Sequence, residues 1–261
     1  MKVATLLVLM LVLSINTQAS AVEDVMKQLV PTGKLRVGVA YAPVPTPIFV
    51  AKDAAGNVHG VPLDLGNALA KTPGVPVEIV VVATTGELTD ACSSGAIDIG
   101  FMPADDERRT RVDFSPPYFV IESTYLAAGP SAIKTLADVD HPEVTVVGIA
   151  GSTTMRAARR SLKNAKVVQA ASVDEAMGMM KAGTAQAFAL THDALPVLQK
   201  QLPGSRILDG SFQITGVAIA MHKDRPAALA YVTTFVESAK SNGTVRRAFD
   251  DAGLNGLSVA P

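Results

Sequence analysis

Short runs of apolar, β-branched residues alternate along the chain with stretches in which apolar residues recur at helical spacing. The predicted strands are residues 34–39, 75–82, 96–101, 144–149, 167–168 and 185–190. The predicted helices are residues 63–71, 87–93, 151–163, 173–181, 227–242 and 244–252. Strands and helices that alternate in this way predict an α/β fold. The nearly continuous apolar run at 75–82 predicts a strand buried on both faces, as parallel sheets covered by helices require.

An extended, aromatic segment at residues 118–126 separates two series of strands and helices. We interpret it as a crossing between two lobes near residues 121–124, with the chain returning near residues 213–216. The predicted organisation is one lobe from residues 22–122 and 214–261, and a second lobe from residues 123–213. The length agrees with this division, because 261 residues suit one large domain or two small ones.

Residues 1–21 have the pattern of a secretory signal peptide. Lys2 precedes an apolar run that ends at Leu13, and Ala19-Ser20-Ala21 has the small-x-small form that signal peptidase recognises. The apolar run is about half as long as the roughly 20 residues that a membrane-spanning helix needs, which disfavours an anchor. We expect cleavage after Ala21 and a mature protein that is free in an exported compartment.

Composition and charge exclude several classes of partner. The 23 Lys and Arg against 24 Asp and Glu give a formal charge of -1, which provides no electrostatic footprint for nucleic acid or an anionic membrane. The single cysteine, Cys92, cannot form an intrachain disulfide, and the four histidines are scattered rather than spaced as metal ligands. We therefore expect no nucleic acid, no metal and no cofactor.

Two segments contain residue types that could bind an anion. Residues 148–154, Gly-Ile-Ala-Gly-Ser-Thr-Thr, predict a loop that opens a helix, where free backbone N–H groups and hydroxyls could hold an anion. A simple helix N-cap explains the same residues. The charged run 105–111 contains Arg108, and a solvated helix face explains it as well. The chain has no G-x-S-x-G nucleophile motif and no Gly-Lys-Ser/Thr phosphate loop, so hydrolase chemistry and nucleotide binding have no support.

Several motifs occur in an order that points to a known family. The most specific is Glu107-Arg108 followed by Phe114-Ser115-Pro116-Pro117-Tyr118. The others are Gly38-Val39-x-Tyr41-x-Pro43, Asp53-x-x-Gly56, Gly60-x-x-Leu63-Asp64-Leu65, Gly95-x-x-Asp98, Gly151-Ser152-Thr153, Gly216-Val217, Lys223-Asp224 and Gly243. Together they cover almost the whole mature chain. In this order they resemble the periplasmic solute-binding proteins of polar amino acid ABC importers, which are bacterial extracellular solute-binding proteins of family 3.

The resemblance implies a two-lobe periplasmic binding protein of type II, with a hinged cleft between the lobes that closes on a small-molecule ligand. It also implies an ABC permease of the inner membrane as partner, no cofactor and a monomeric chain. By position, Arg108 would bind a ligand carboxylate bidentately, a geometry to which arginine is better suited than lysine. The residues expected at the ligand are Arg108, Gly151, Ser152 and Thr153 at its carboxylate, Tyr41, Phe101 and Met102 as an apolar wall, and Asp105, Thr191 and His192 nearby.

The sequence departs from the family pattern at two places. Amino-acid-binding members usually carry hydroxyls three and five residues before the arginine, where this chain has Asp105 and Pro103. They also usually carry an acid after a strand of the second lobe to receive the ligand's ammonium, and that position is Thr191, followed by His192 and Asp193. Asp105 could receive an ammonium or could cap the helix that holds Arg108. Whether the ligand is an ordinary amino acid therefore stays open.

Two functions of different classes agree with the sequence. The first is a binding protein that delivers a small solute to an ABC permease, without catalysis. The alternative is a periplasmic enzyme on the same fold, since a few relatives of the family are similar to cyclohexadienyl dehydratases, and a fold does not fix a function. Such an enzyme needs a general acid in the cleft, for which Asp105, Glu122 and His192 are the candidates.

Overall fold

The computed structural model describes residue 20, residues 22–41 and residues 46–261. The predicted signal peptide lies outside these residues except for Ser20. The helices are α1 (residues 22–29), α2 (Val61–Lys71), α3 (Thr85–Ser93), α4 (Asp106–Arg109), α5 (Thr153–Ser161), α6 (Val173–Lys181), α7 (Leu195–Gln199), α8 (Pro226–Ser241) and α9 (Thr244–Asp251), with a 3-10 helix at Leu136–Val139. The strands are β1 (Leu35–Ala40), β2 (Ala51–Lys52), β3 (Val58–His59), β4 (Val77–Val82), β5 (Ile99–Pro103), β6 (Val112–Ala127), β7 (Thr145–Ile149), β8 (Lys166–Ala170), β9 (Ala187–Thr191), β10 (Arg206–Ile207) and β11 (Gln213–His222).

One mixed sheet runs through the molecule in the order β4-β1-β5-β11-β6-β9-β7-β8, with β10 paired to β6 and a separate β2–β3 hairpin. Strands β1, β4 and β5 pair in parallel, and so do β7, β8 and β9. The two long strands β6 and β11 are antiparallel to each other and connect these two parallel groups. Strand β6 pairs with β11 between Val112 and Ser123 and with β9 between Ser123 and Ala127. The extended segment predicted at 118–126 is therefore part of β6.

The apolar side chains form separate cores on the two sides of this connection. Around β1, β4 and β5, which we call the first lobe, buried residues such as Val37 and Ile99 pack with Val232 and Phe249 of the C-terminal helices. Around β7, β8 and β9, which we call the second lobe, the core residues all lie between Tyr125 and Phe212. The predicted fold class, an α/β protein of two lobes, is confirmed.

Two strands differ from their predicted form. All six residues of β4 are only half-buried, because β4 lies at the edge of the sheet, so the prediction of a strand buried on both faces is wrong. Strand β5 begins at Ile99 instead of residue 96. The N–H groups of Ala96 and Ile97 donate to the Ala91 carbonyl and close the end of α3, so these residues are not available for the sheet.

Candidate functional site

Arg108 lies where the two lobes meet. Its helix α4 is capped by Asp105, whose carboxylate accepts a hydrogen bond from the Arg108 backbone N–H at 3.0 Å. The Arg108 side chain is 2% exposed. Its Nη1 donates to the Pro103 carbonyl at 2.6 Å, and its Nη2 donates to Thr85 Oγ1 at 2.7 Å and to the Gly151 carbonyl at 3.0 Å. Since Gly151 follows β7, this guanidinium contacts both lobes.

The Arg108 guanidinium has neutral partners only. No carboxylate oxygen lies within 4.0 Å of it, and every Asp and Glu of the chain belongs to the described residues. Burial, together with the charge of Arg156, lowers the pKa of Arg108 to about 10, so the group stays charged at neutral pH. A buried charge without a counter-ion is costly, which makes this position favourable for an anion.

A cavity opens between the lobes next to the groups that Arg108 contacts, whereas Arg108 and Gly151 themselves line a separate pocket together with Glu107 and Arg156. The cavity contains about 430 Å³ of space free of protein atoms, part of it open to solvent. Thr85 and Pro103, which accept hydrogen bonds from Arg108, both line it. The lining residues are Phe49, Thr84, Thr85, Pro103, Ile149, Ala150, Ser152, Thr153, Thr154, Leu190 and Thr191. This surface combines hydroxyls with a few apolar side chains.

The N-terminus of α5 and the end of β9 form the part of the cavity contributed by the second lobe. Gly151 has a φ of 68°, a left-handed conformation that favours glycine, and turns the chain into the helix. Ser152 is the N-cap, since its hydroxyl accepts from the Met155 N–H at 3.1 Å and donates to the Ile149 carbonyl at 2.8 Å. The backbone N–H groups at the start of a helix have no partner within the helix, so those of Thr153 and Thr154 remain suited to an anion.

Arg156, one turn after Ser152, pairs with Asp105 across the gap between the lobes. Its Nε lies 2.6 Å and its Nη2 2.5 Å from Asp105 Oδ2, while its Nη1 donates to the Gly151 carbonyl at 3.1 Å. The exposed fractions of the Arg156 and Asp105 side chains are 14% and 7%. Both oxygens of Asp105 are therefore in use, one as the helix cap and one in this ion pair. Sequence reasoning missed Arg156, because only the packing of α5 against α4 places it there.

Three residues predicted as an apolar wall lie away from the cavity lining. Phe101 packs edge-on against Tyr118 in the first core, with ring centroids 5.9 Å apart. Met102 is also fully buried, because β5 lies inside the sheet and both of its faces are covered. Tyr41 is half-buried beside Lys52, whose Nζ lies 5.4 Å from the ring centroid. The apolar part of the lining consists instead of Phe49, Pro103, Ile149, Ala150 and Leu190.

The two predicted residues at the end of β9 lie on different cavities. Thr191 is buried and lines the cavity beside Arg108. His192 is exposed and lines a second cavity together with Glu122, Asp193, residues 256–259 and Pro261. The His192 backbone N–H donates to the Glu122 carbonyl at 2.8 Å. The structure therefore does not bring His192 to Arg108.

Metal clusters and membrane-spanning helices are not found in the part of the chain that the structure describes. Across residues 20, 22–41 and 46–261, no three side chains of His, Cys, Asp or Glu are grouped so as to hold a metal ion. Among the same residues, no helix is both long and apolar enough to cross a membrane.

A match to a known protein family includes the residues of the site. The sequence matches the bacterial extracellular solute-binding proteins, family 3, over residues 35–252, which include α4, the α5 N-terminus and both long strands. The chain belongs to this family. This match confirms the family resemblance that the sequence motifs indicated.

Three similar proteins are described as binding proteins. This family 3 protein is 29% identical over 215 residues to a glutamine-binding protein of Geobacillus stearothermophilus, with 80% of each chain covered. An ancestral arginine-binding protein bound to glutamine has a TM-score of 0.71 and 30% identity, and the match covers 85% of this chain and 98% of that one. An ancestral amino-acid-binding protein described as a precursor of cyclohexadienyl dehydratase has a TM-score of 0.69 and 29% identity, with 88% and 97% covered.

Proposed function

We propose that this family 3 protein is the solute-binding component of an ABC importer, and that it captures a small carboxylate-bearing solute in the cavity between its lobes. The observation that carries the proposal is the Arg108 guanidinium, which is buried, charged and without a carboxylate partner beside that cavity. A solute carboxylate would supply the missing negative charge. Membership of the family supports the role in transport.

The carboxylate would lie between Arg108 and the first turn of α5. Three of the five N–H donors of Arg108 are used here, and the bond to the Gly151 carbonyl is the one that crosses between lobes. When the two lobes separate, the Arg108 Nη2 donor would lose the Gly151 carbonyl and become free for the solute. The backbone N–H groups of Thr153 and Thr154 would face the same solute carboxylate. Charge-assisted hydrogen bonds of this kind contribute about 1.5–3 kcal/mol each.

Closure would be a hinge motion of the two lobes about β6 and β11. We take the lobes as residues 22–122 with 214–261, and residues 123–213. The separate cores support this division, since Val232 and Phe249 pack with residues near the start of the chain. We also propose that residues 1–21 are removed on export, that the mature protein is a periplasmic monomer, and that its partner is the inner-membrane permease.

The positions of the candidate general acids argue against catalysis in this cavity. Asp105 is occupied by Arg156 and by the α4 cap. Glu122 and His192 line the second cavity and not the one beside Arg108. A dehydratase would need a proton donor at the bound solute, and the lining contributes only hydroxyls and backbone groups.

A solute screen tests the proposal. The protein without residues 1–21 would be melted in the presence of individual amino acids, 2-oxo acids, hydroxy acids and dicarboxylates. Nuclear magnetic resonance would compare each solute before and after incubation. We expect a saturable rise in melting temperature with at least one carboxylate, which is recovered unchanged. A screen in which no carboxylate raises the melting temperature, or in which the stabilising solute is consumed, would contradict a binding role.

A further inference from the structure

The cavity beside Arg108 contains no negative charge. Its lining has no Asp or Glu, and residues 42–45, the one internal stretch outside the described residues, are Ala-Pro-Val-Pro. Three of the acids nearest in the sequence have other partners: Glu87 accepts from the Ala83 N–H, and Asp105 and Glu107 pair with Arg156. Asp193 lies beside Thr191 but lines the second cavity, where burial raises the pKa of its carboxyl. The lining itself therefore offers no carboxylate to a cationic group of a solute.

Two threonine hydroxyls of the cavity have protons available to donate. Thr85 Oγ1 accepts from Arg108 at 2.7 Å and Thr84 Oγ1 accepts from the Glu87 N–H at 3.1 Å, so both hydroxyls keep their own protons to donate. The carbonyls nearest Arg108 are already occupied as acceptors. Pro103 accepts from Arg108, and Gly151 accepts from Arg108 and Arg156.

An ammonium has three N–H donors and no acceptor, so it cannot use the O–H groups of Thr84 and Thr85 as donors. It would also lie close to the Arg108 guanidinium, whose like charge repels it in a site of low dielectric. A carbonyl or hydroxyl oxygen on the solute, by contrast, can accept from Thr84, Thr85 or the first turn of α5. The hydrogen-bonding groups of the lining and the charge of Arg108 therefore both disfavour an ammonium.

We infer that the solute is a small carboxylate whose second polar group is a carbonyl or hydroxyl, as in 2-oxo and 2-hydroxy acids, and not an α-amino acid. The inference rests on the proposed function, because it names the class of solute for the same cavity. It assigns Thr191 a role in specificity. Thr191 is a buried hydroxyl that lines the cavity at the end of β9, where an acidic side chain would place a carboxylate in the lining.

Matched pairs of solutes test the inference. Calorimetry would compare each proteinogenic α-amino acid with its 2-oxo and 2-hydroxy counterparts, for example L-alanine with pyruvate and lactate, or L-leucine with 4-methyl-2-oxopentanoate. In every series that binds, we expect the oxo or hydroxy acid to bind at least tenfold more tightly than the amino acid. Equal or tighter binding of the amino acid would overturn the inference and leave the proposed function standing. Absence of binding by all compounds would contradict both.

The Thr191→Asp variant tests the reason for the preference. Its carboxylate would supply the missing counter-ion, and we expect the affinity ratio of amino acid to oxo acid to rise at least tenfold. Thr191→Asn is the matched control, because it has the same size without the charge, and the melting temperatures of both variants show whether they fold. A ratio that stays unchanged in Thr191→Asp, or that rises as much in Thr191→Asn, would refute the assignment of specificity to charge at this position.

Discussion

Replacement of Arg156 by Gln should shift the protein from the conformation with its lobes in contact toward an open one. The Arg156–Asp105 pair joins α5 of the second lobe to α4 of the first, with N–O distances of 2.6 and 2.5 Å. Both side chains are well below one third exposed, so solvent screening of this pair is limited. The additional contact with Glu107, whose side chain is 62% exposed, contributes little.

The expected size of the shift follows from these contacts. A hydrogen bond between charged groups contributes about 1.5–3 kcal/mol, and opening of the lobes would return Asp105 to water in the variant. The population of closed molecules relative to open ones should therefore fall by roughly tenfold to 150-fold. The α4 helix should stay intact, because Asp105 still caps it through its other oxygen.

Small-angle X-ray scattering without added solute measures this shift. We expect a larger radius of gyration for Arg156→Gln than for the wild type. Arg160→Gln is the matched control, since Arg160 is exposed on the same helix and the same charge is removed. Equal radii for the wild type and Arg156→Gln, or an equal increase in Arg160→Gln, would refute the reasoning that this ion pair holds the lobes together.

Three further predictions concern packing and burial. Gly86→Val should weaken solute binding in calorimetry by hindering closure of the lobes. A Cβ at Gly86 would already be in van der Waals contact with the Cα of Gly151, at 3.6 Å, and valine adds two further carbons; unchanged affinity would contradict this contact. Asp98→Asn should lower the free energy of unfolding in urea by about 3–5 kcal/mol, because the fully buried Asp98 carboxylate accepts from Arg36 at 2.6, 2.9 and 3.1 Å; a loss under about 1 kcal/mol would be inconsistent with a buried pair. Cys92, whose thiol pKa burial raises to about 12, should not react with Ellman's reagent at pH 8 until the protein is unfolded, and rapid labelling of the native protein would disprove its burial.

The local chemistry of the chain predicted those features that depend on neighbouring residues. The helix at residues 173–181 has the bounds expected from the sequence, and Ser172 caps it. Asp105 caps α4, one of the two roles that its position before Arg108 allowed. Such features follow from sequence because an N-cap needs only a side-chain oxygen and an N–H group two or three residues later.

Features that depend on distant parts of the chain could not be predicted in this way. The apolar run of β4 resembles an interior strand, yet β4 lies at the sheet edge, which only the order of the strands decides. Phe101 and Met102 point to opposite faces of an interior strand, so both enter a core and neither reaches the cavity. The pairing of Arg156 with Asp105 spans 51 residues, and nothing in the local sequence of α5 indicates it.

The affinity of the Arg108→Gln variant for the most stabilising carboxylate of the screen tests the central claim most directly. Glutamine keeps part of the hydrogen bonding to Thr85 and Pro103 but removes the charge, and the adjacent exposed Arg109→Gln is the matched control. Calorimetry should give a loss of affinity of about tenfold to 150-fold in Arg108→Gln, from one or two charge-assisted bonds, and no change in Arg109→Gln. An unchanged affinity in a folded Arg108→Gln protein would contradict the claim that this guanidinium holds the solute.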